Sequence, residues 1–147
     1  MLFELISNKP LVNSIIAFIT SQILKSIYFY FSGTKKQIHE FFGTGGMPSS
    51  HSATVSALST TIGITSGWGS VSFAISCVFS SIVIYDAATL RRAAGNNAKK
   101  INEITTKLTE SLGPQTIKLK TDIGHTVPEV VAGIALGTLL SVLSFMF

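Results

Sequence analysis

Two histidines and one carboxylate set the chemical possibilities of this sequence. His125 and Glu129 stand four residues apart, which puts both side chains on one face of a helix. A carboxylate bonded to one imidazole nitrogen fixes the tautomer and leaves the other nitrogen free to attack. The same pair also serves as a plain structural hydrogen bond. His51 follows Gly45-Gly46-Met47-Pro48-Ser49-Ser50, a flexible turn with a proline and hydroxyl caps at a helix start. The N–H groups of such a start suit an anion, and they equally suit an ordinary capped helix. Cations and one acid accompany them. Lys25 either serves the site or snorkels to the headgroups. Arg91 and Arg92 either bind an anion or anchor a helix end beside anionic lipid, and Asp86 is their salt-bridge candidate. Taken jointly, the set describes phosphoryl transfer. One histidine is the nucleophile, the other protonates the leaving oxygen, and cations and N–H groups hold the equatorial oxygens.

The elements that carry these residues read as membrane helices. The chain has 147 residues, the size of one domain, so 1–147 is taken as a single unit. Charged residues make up 12%, about half the usual share of ~25%, and hydrophobic residues 46%. Those figures exclude a disordered chain, a coiled coil and a typical soluble enzyme. Cys77 is the sole cysteine, so no intrachain disulfide forms. The first eight residues lack a basic cluster, and the apolar run after Lys9 and Pro10 is too long for a signal peptide; it reads as a retained membrane segment. Four stretches approach the ~20 residues a bilayer requires: 11–31, 50–65, 71–90 and 127–147. The second is rich in Ser, Thr and Ala, which suits a helix enclosed by others. Gly133 and Gly137 form a small-xxx-small pair, read first as helix packing inside the fold and second as a dimer contact. Over 97–112, Ile101, Ile104 and Leu108 recur at helical spacing among lysines. This amphipathic helix lies on the bundle or in the interface, and Gly113-Pro114 stops it. The fold class is therefore all-α: a polytopic bundle of about four transmembrane helices plus a cytoplasmic amphipathic helix.

Charge sets the orientation. Four crossings put the 33–49 loop, with Lys35, Lys36, His39 and Glu40, and the 91–126 loop on one side. That side also carries Arg91, Arg92, Lys99, Lys100, Lys107, Lys118 and Lys120, whereas Lys9 lies opposite. The positive-inside rule makes the basic side cytoplasmic and puts both termini outside. All the polar motifs sit at that same side, at one depth, where ionisable groups are costly unless they have a use.

Three blocks, GGMPSSHSA (45–53), YDAATLRRAAG (85–95) and GHTVPEVVAG (124–133), resemble the divergent branch of the type 2 phosphatidic acid phosphatase family, PAP2, which is related to acid phosphatases and vanadium-dependent haloperoxidases. The resemblance runs from about residue 22 to 137. It implies that His125 is the nucleophile that becomes a phosphohistidine, that Glu129 orients it, and that His51 is the general acid. It implies Ser49 and Ser50 as the phosphate-binding turn and Lys25 as the first-motif lysine, with no metal and no cofactor. The sequence departs from the wider superfamily at several points. Ser50 stands in place of Gly, Ser32 and Leu119 in place of motif arginines, and Glu129 in place of Asp. Arg91, Arg92 or Lys120 are the candidates to replace those arginines. Four crossings are also fewer than the six of the ordinary family.

The expected function is hydrolysis of a phosphomonoester or pyrophosphate on a membrane lipid: phosphatidylglycerophosphate, phosphatidate or a polyprenyl diphosphate. Phosphate or vanadate is the expected ligand. Nucleic acid is not expected as a partner, and a homo-oligomer is open. A bacterial inner membrane, with the site facing the cytoplasm, is the expected location. Two rivals use the same residues. One is a non-catalytic lipid-phosphate binding or transport component. The other is a zinc site built from His51, His125 and Glu129.

Overall fold

The long helices of this chain bury their small and polar residues and turn their large apolar ones outward. In the computed structural model, which describes residues 2–31, 45–112, 119–121 and 123–146, Ser21, Ser52, Thr61 and Ser141 are fully enclosed. Val71, Ile75 and Ile82 are 76%, 65% and 63% exposed. A water-soluble domain does the reverse. In a bilayer the tails solvate Ile, Val and Phe, while small residues let backbones meet. The chain is an integral membrane protein with a helical bundle fold.

Six helices make up the described residues: α1 (Leu2–Ser7), α2 (Lys9–Phe31), α3 (Ser50–Ser66), α4 (Val71–Ala88), α5 (Leu90–Leu112) and α6 (Val127–Leu143). Pro10 falls in the first turn of α2, where its missing N–H removes no helical bond. Both α2 and the apolar run beginning at Val71 are long and apolar enough to cross a membrane. At about 1.5 Å per residue, the 17 residues each of α3 and α6 span ~26 Å, slightly less than the ~30 Å hydrocarbon core. The least apolar of the four, α3, packs against α2, α4 and α6, as its Ser, Thr and Ala content predicts. The glycine pair of α6 makes this closeness possible. A Cβ at Gly133 would collide with the Ser49 carbonyl, and one at Gly137 with the Ala53 carbonyl. Gly133 and Gly137 therefore serve packing within the bundle.

The chain alternates direction, so the start of α2 and the ends of α3 and α6 share one end of the bundle. There Asn13 Nδ2 donates to Thr61 Oγ1 at 3.0 Å and to Ser144 Oγ at 2.7 Å. The end of α2 and the starts of α3 and α6 share the other. The amphipathic helix differs from its expected bounds: α5 begins at Leu90, seven residues before 97, with only Thr89 separating it from α4. Nothing in Leu90–Asn96 repeats at an apolar period, and no Gly or Pro marks the junction, so the sequence pattern started too late. The residue Asn102 ties α5 to Leu119 through two hydrogen bonds of 2.8 and 2.9 Å. Ile101, Ile104 and Leu108 remain about half exposed. The positions Ser32, Gly33, Lys35, Lys36, His39, Glu40, Gly113, Pro114 and Lys118 named above lie outside the described residues.

Candidate active site

Backbone bonds join the three sequence blocks at one end of the bundle. The Ser49 N–H donates to the Glu129 carbonyl at 2.9 Å, tying the start of α3 to the first turn of α6. The His125 N–H donates to the Ala87 carbonyl at 2.9 Å, tying the loop before α6 to the end of α4. Glycines allow the remaining contacts. Gly46 has φ +96°, and a Cβ there would lie 2.6 Å from the Phe29 ring and 3.3 Å from Lys25 Cγ. Gly124 has φ +91°, and a Cβ there would collide with the Arg92 backbone nitrogen. Both positions require glycine twice over, by dihedral and by space.

His125 is 1% exposed. Its Nδ1 lies 3.1 Å from Glu129 Oε2, which also accepts the Thr126 N–H at 3.0 Å. Glu129 is thus half of a capping box and the partner of the histidine at once. A carboxylate only accepts, so the imidazole proton sits on Nδ1 and Nε2 carries the lone pair. That Nε2 is buried and has no hydrogen-bond partner among the described residues. Burial holds His125 below the ordinary histidine value of 6.5, with Lys25 acting in the same direction and Glu129 and the Gly46 backbone opposing. The ring is therefore neutral at neutral pH, as a nucleophile requires.

His51, in the first turn of α3, faces His125 with ring centroids 6.1 Å apart, and its Nδ1 is also buried without a partner. Lys25, 1% exposed, lies close enough to act electrostatically on both histidines. Ser49 and Ser50 are buried at the same helix start. The Ser49 hydroxyl caps α3 by accepting from Ser52 N at 3.3 Å and Ser52 Oγ at 3.0 Å. Arg91 Nε bonds Asp86 Oδ2 at 2.6 Å, and both charges bear on His51. Arg92 lines a cavity of about 300 Å³ together with Tyr28, Phe29, Gly45, Gly46, Thr121, Ile123, Gly124, His125, Thr126 and Glu129. The structure thus brings together Lys25, Ser49, Ser50, His51, Asp86, Arg91, Arg92, His125 and Glu129. It leaves Lys120 exposed beside the site and outside the cavity lining, which its neighbour Thr121 joins.

Sequence reasoning missed Tyr28 and Phe29, although both stand one turn beyond Lys25 on α2. It also missed Thr121 and Ile123, which no pattern marks. Among the described residues, no three His, Cys, Asp or Glu side chains are grouped to hold a metal ion. The zinc alternative therefore lacks its ligand geometry.

Comparison with known proteins supplies two findings. The sequence profile of a family described as "Divergent PAP2 family" matches residues 6–140. An uncharacterised membrane protein of Bacillus subtilis (strain 168), YuiD, is 36% identical over 156 aligned residues, covering 98% of this chain and 99% of the relative. No solved structure matches the chain.

Proposed function

The chain belongs to the divergent PAP2 family, and from that premise we propose that it is a membrane-embedded lipid phosphatase working through a phosphohistidine. One observation carries the reading: a buried imidazole lining a cavity, whose Nδ1 is held by a carboxylate and whose Nε2 has no hydrogen-bond partner among the described residues. A purely structural histidine–glutamate pair needs no open nitrogen. In the first step His125 Nε2 attacks phosphorus in line. The N–P bond forms as the bond to the lipid oxygen breaks, and His51 gives that oxygen its proton. In the second, His51 takes a proton from water, whose oxygen displaces His125 and releases inorganic phosphate. Lys25 and the positive end of the α3 helix dipole offset the charge on the equatorial oxygens. Substrates of this chemistry are phosphatidylglycerophosphate, phosphatidate and polyprenyl diphosphates. The excess of Lys and Arg on the site's side supports a cytoplasmic location for it.

A second reading, a lipid-phosphate binding or transport component, is favoured by one observation. Leu119 stands where the superfamily's third motif has arginine, and its backbone is spent on Asn102. Labelled lipid phosphate separates the two. The phosphatase yields an acid-labile phosphoprotein that disappears in His125→Ala, and it releases phosphate in the presence of EDTA. Binding without label on the wild-type protein, or full release by His125→Ala, would discard the enzyme.

A further inference from the structure

Arg91 and Arg92 are adjacent in sequence and serve different ends. Arg91 is tied to Asp86 at 2.6 Å, and this pair bears on the His51 ring. Arg92 lines the cavity that holds His125. The buried cation next to the histidines is Lys25, at 1% exposure, whereas Arg92 is exposed. The site therefore has two cationic positions at two depths. One is buried beside the reacting histidine, and the other is exposed on the cavity wall.

The backbone fixes this separation. Gly124 lies directly against the Arg92 nitrogen and Cα, so the first turn of α5 cannot shift without moving the loop that carries His125. At about 300 Å³ the cavity is at the low end of the ~300–1,000 Å³ typical of small-molecule sites. That suits a small headgroup, and a bare phosphoryl group would leave the rim unused. A guanidinium takes a phosphate oxygen pair in bidentate fashion, which suits a fixed second anion.

We propose that Arg92 holds a second anionic group of the substrate, separate from the phosphoryl group that reacts, so the preferred lipid carries two phosphates joined by a short linker. The kinetic part rests on the phosphatase reading above. Arg92 acts on selectivity, and Arg91 acts through His51 on every substrate alike.

The test compares phosphatidylglycerophosphate, which has a terminal phosphate and an inner phosphodiester, with phosphatidate, which has one phosphate. Purified wild-type, Arg92→Gln, Arg92→Lys and Arg91→Gln proteins are assayed in detergent. In Arg92→Gln, kcat/KM for the two-phosphate lipid should fall about tenfold or more relative to that for phosphatidate, with the difference in KM. Arg92→Lys should fall between, because it keeps charge and loses the fork. Arg91→Gln should lower both substrates equally. Equal loss on both lipids in Arg92→Gln would put Arg92 on the reacting phosphoryl group and overturn the proposal, as would no loss on either. Absence of phosphate release by the wild-type protein would end the phosphatase reading alone. Binding to vesicles of each lipid at matched charge then decides the role of Arg92. A preference for the two-phosphate lipid that vanishes in Arg92→Gln supports it, and equal binding of both lipids overturns it.

Discussion

Asn13, Thr61 and Ser144 meet at one end of the bundle, and Lys25, His51, His125 and Glu129 at the other. At the first end polar groups satisfy one another: Asn13 reaches both hydroxyls, Ser144 Oγ donates to the Ser141 carbonyl, and Ser141 Oγ donates to the Ala57 carbonyl. At the second, His125 Nε2 and His51 Nδ1 are buried without partners. So is Gln22 Oε1, one turn from Lys25 on the same face of α2. Both ends are costly places for polar atoms, since lipid offers no hydrogen bonds. A closed network repays its desolvation by specifying how helices meet. An open one keeps donors and acceptors for something that arrives. The two ends of this protein thus differ in whether their buried polar atoms are satisfied.

The sharpest way to break that comparison is to ask whether Glu129 belongs to the closed kind or the open kind. It caps α6 and holds His125 with the same oxygen. Glu129→Gln keeps an acceptor for the Thr126 N–H but can donate its amide to Nδ1, which favours the wrong tautomer. Phosphate release should fall by about 10²–10⁴-fold, with the thermal midpoint in detergent little changed. Retained activity would reduce Glu129 to a cap. The pH profile sharpens the result. The attacking ring must be neutral, and burial holds His125 below 6.5. The acid limb of wild-type kcat/KM that reports protonation of His125 should therefore lie below 6.5. Glu129 raises the value against burial and Lys25, so its removal should move that limb lower still while the maximum drops. An acid limb at or above 6.5 in the wild type would contradict a buried, neutral nucleophile.

The glycine pair on α6 offers the next test, because one member lies a turn nearer the site than the other. Gly133 touches the Ser49 carbonyl and the Ser52 Cβ, at the start of α3 where His51 stands. Gly137 touches Ala53 and Ala57, a turn further from the site. An added methyl at either position pushes the helices apart, at about 1–3 kcal/mol for overpacking. Gly137→Ala should lower the thermal midpoint while folded protein keeps its phosphate release. Gly133→Ala should lower both, because it displaces the helix start that faces His125. Equal loss of activity in the two variants would show that the bundle transmits strain along its whole length.

How much of this was legible in the sequence follows from what each feature depends on. His125 and Glu129 are local in sequence, and their helical spacing alone gave the pair. His51 and the Gly-Gly turn were legible as a helix start, and Lys25 as an ionisable residue costly to place inside a membrane segment. The division between Arg91 and Arg92 was not legible. It depends on the junction at Thr89 and on Gly124, thirty-odd residues away, pressing against one residue of an adjacent pair. The walls at Thr121 and Ile123 were hidden for the same reason, since an irregular stretch placed by tertiary contacts leaves no period. The early start of α5 was missed because Leu90–Asn96 has helix-compatible residues without an apolar stripe.

The smallest expected effect tests the closed end. Asn13→Ala removes the donor that links α2 to α3 and α6. The loss should nonetheless be modest. Ser144 Oγ keeps the Ser141 carbonyl at 2.8 Å, and a threonine hydroxyl within a helix can turn to the carbonyl a turn earlier. Interhelical hydrogen bonds in membranes average ~0.6 kcal/mol and reach ~1.7, because the partners find alternatives. A loss of about 1 kcal/mol lowers the thermal midpoint of a chain this size by about 2–4 °C. Phosphate release by folded protein should not change, since the site at the other end keeps every group named above. If Asn13→Ala abolished turnover and left the thermal midpoint alone, the separation of the two ends would fail. The polar row from Asn13 through Ser21 and Gln22 to Lys25 would then have to be treated as one connected path along the buried face of α2.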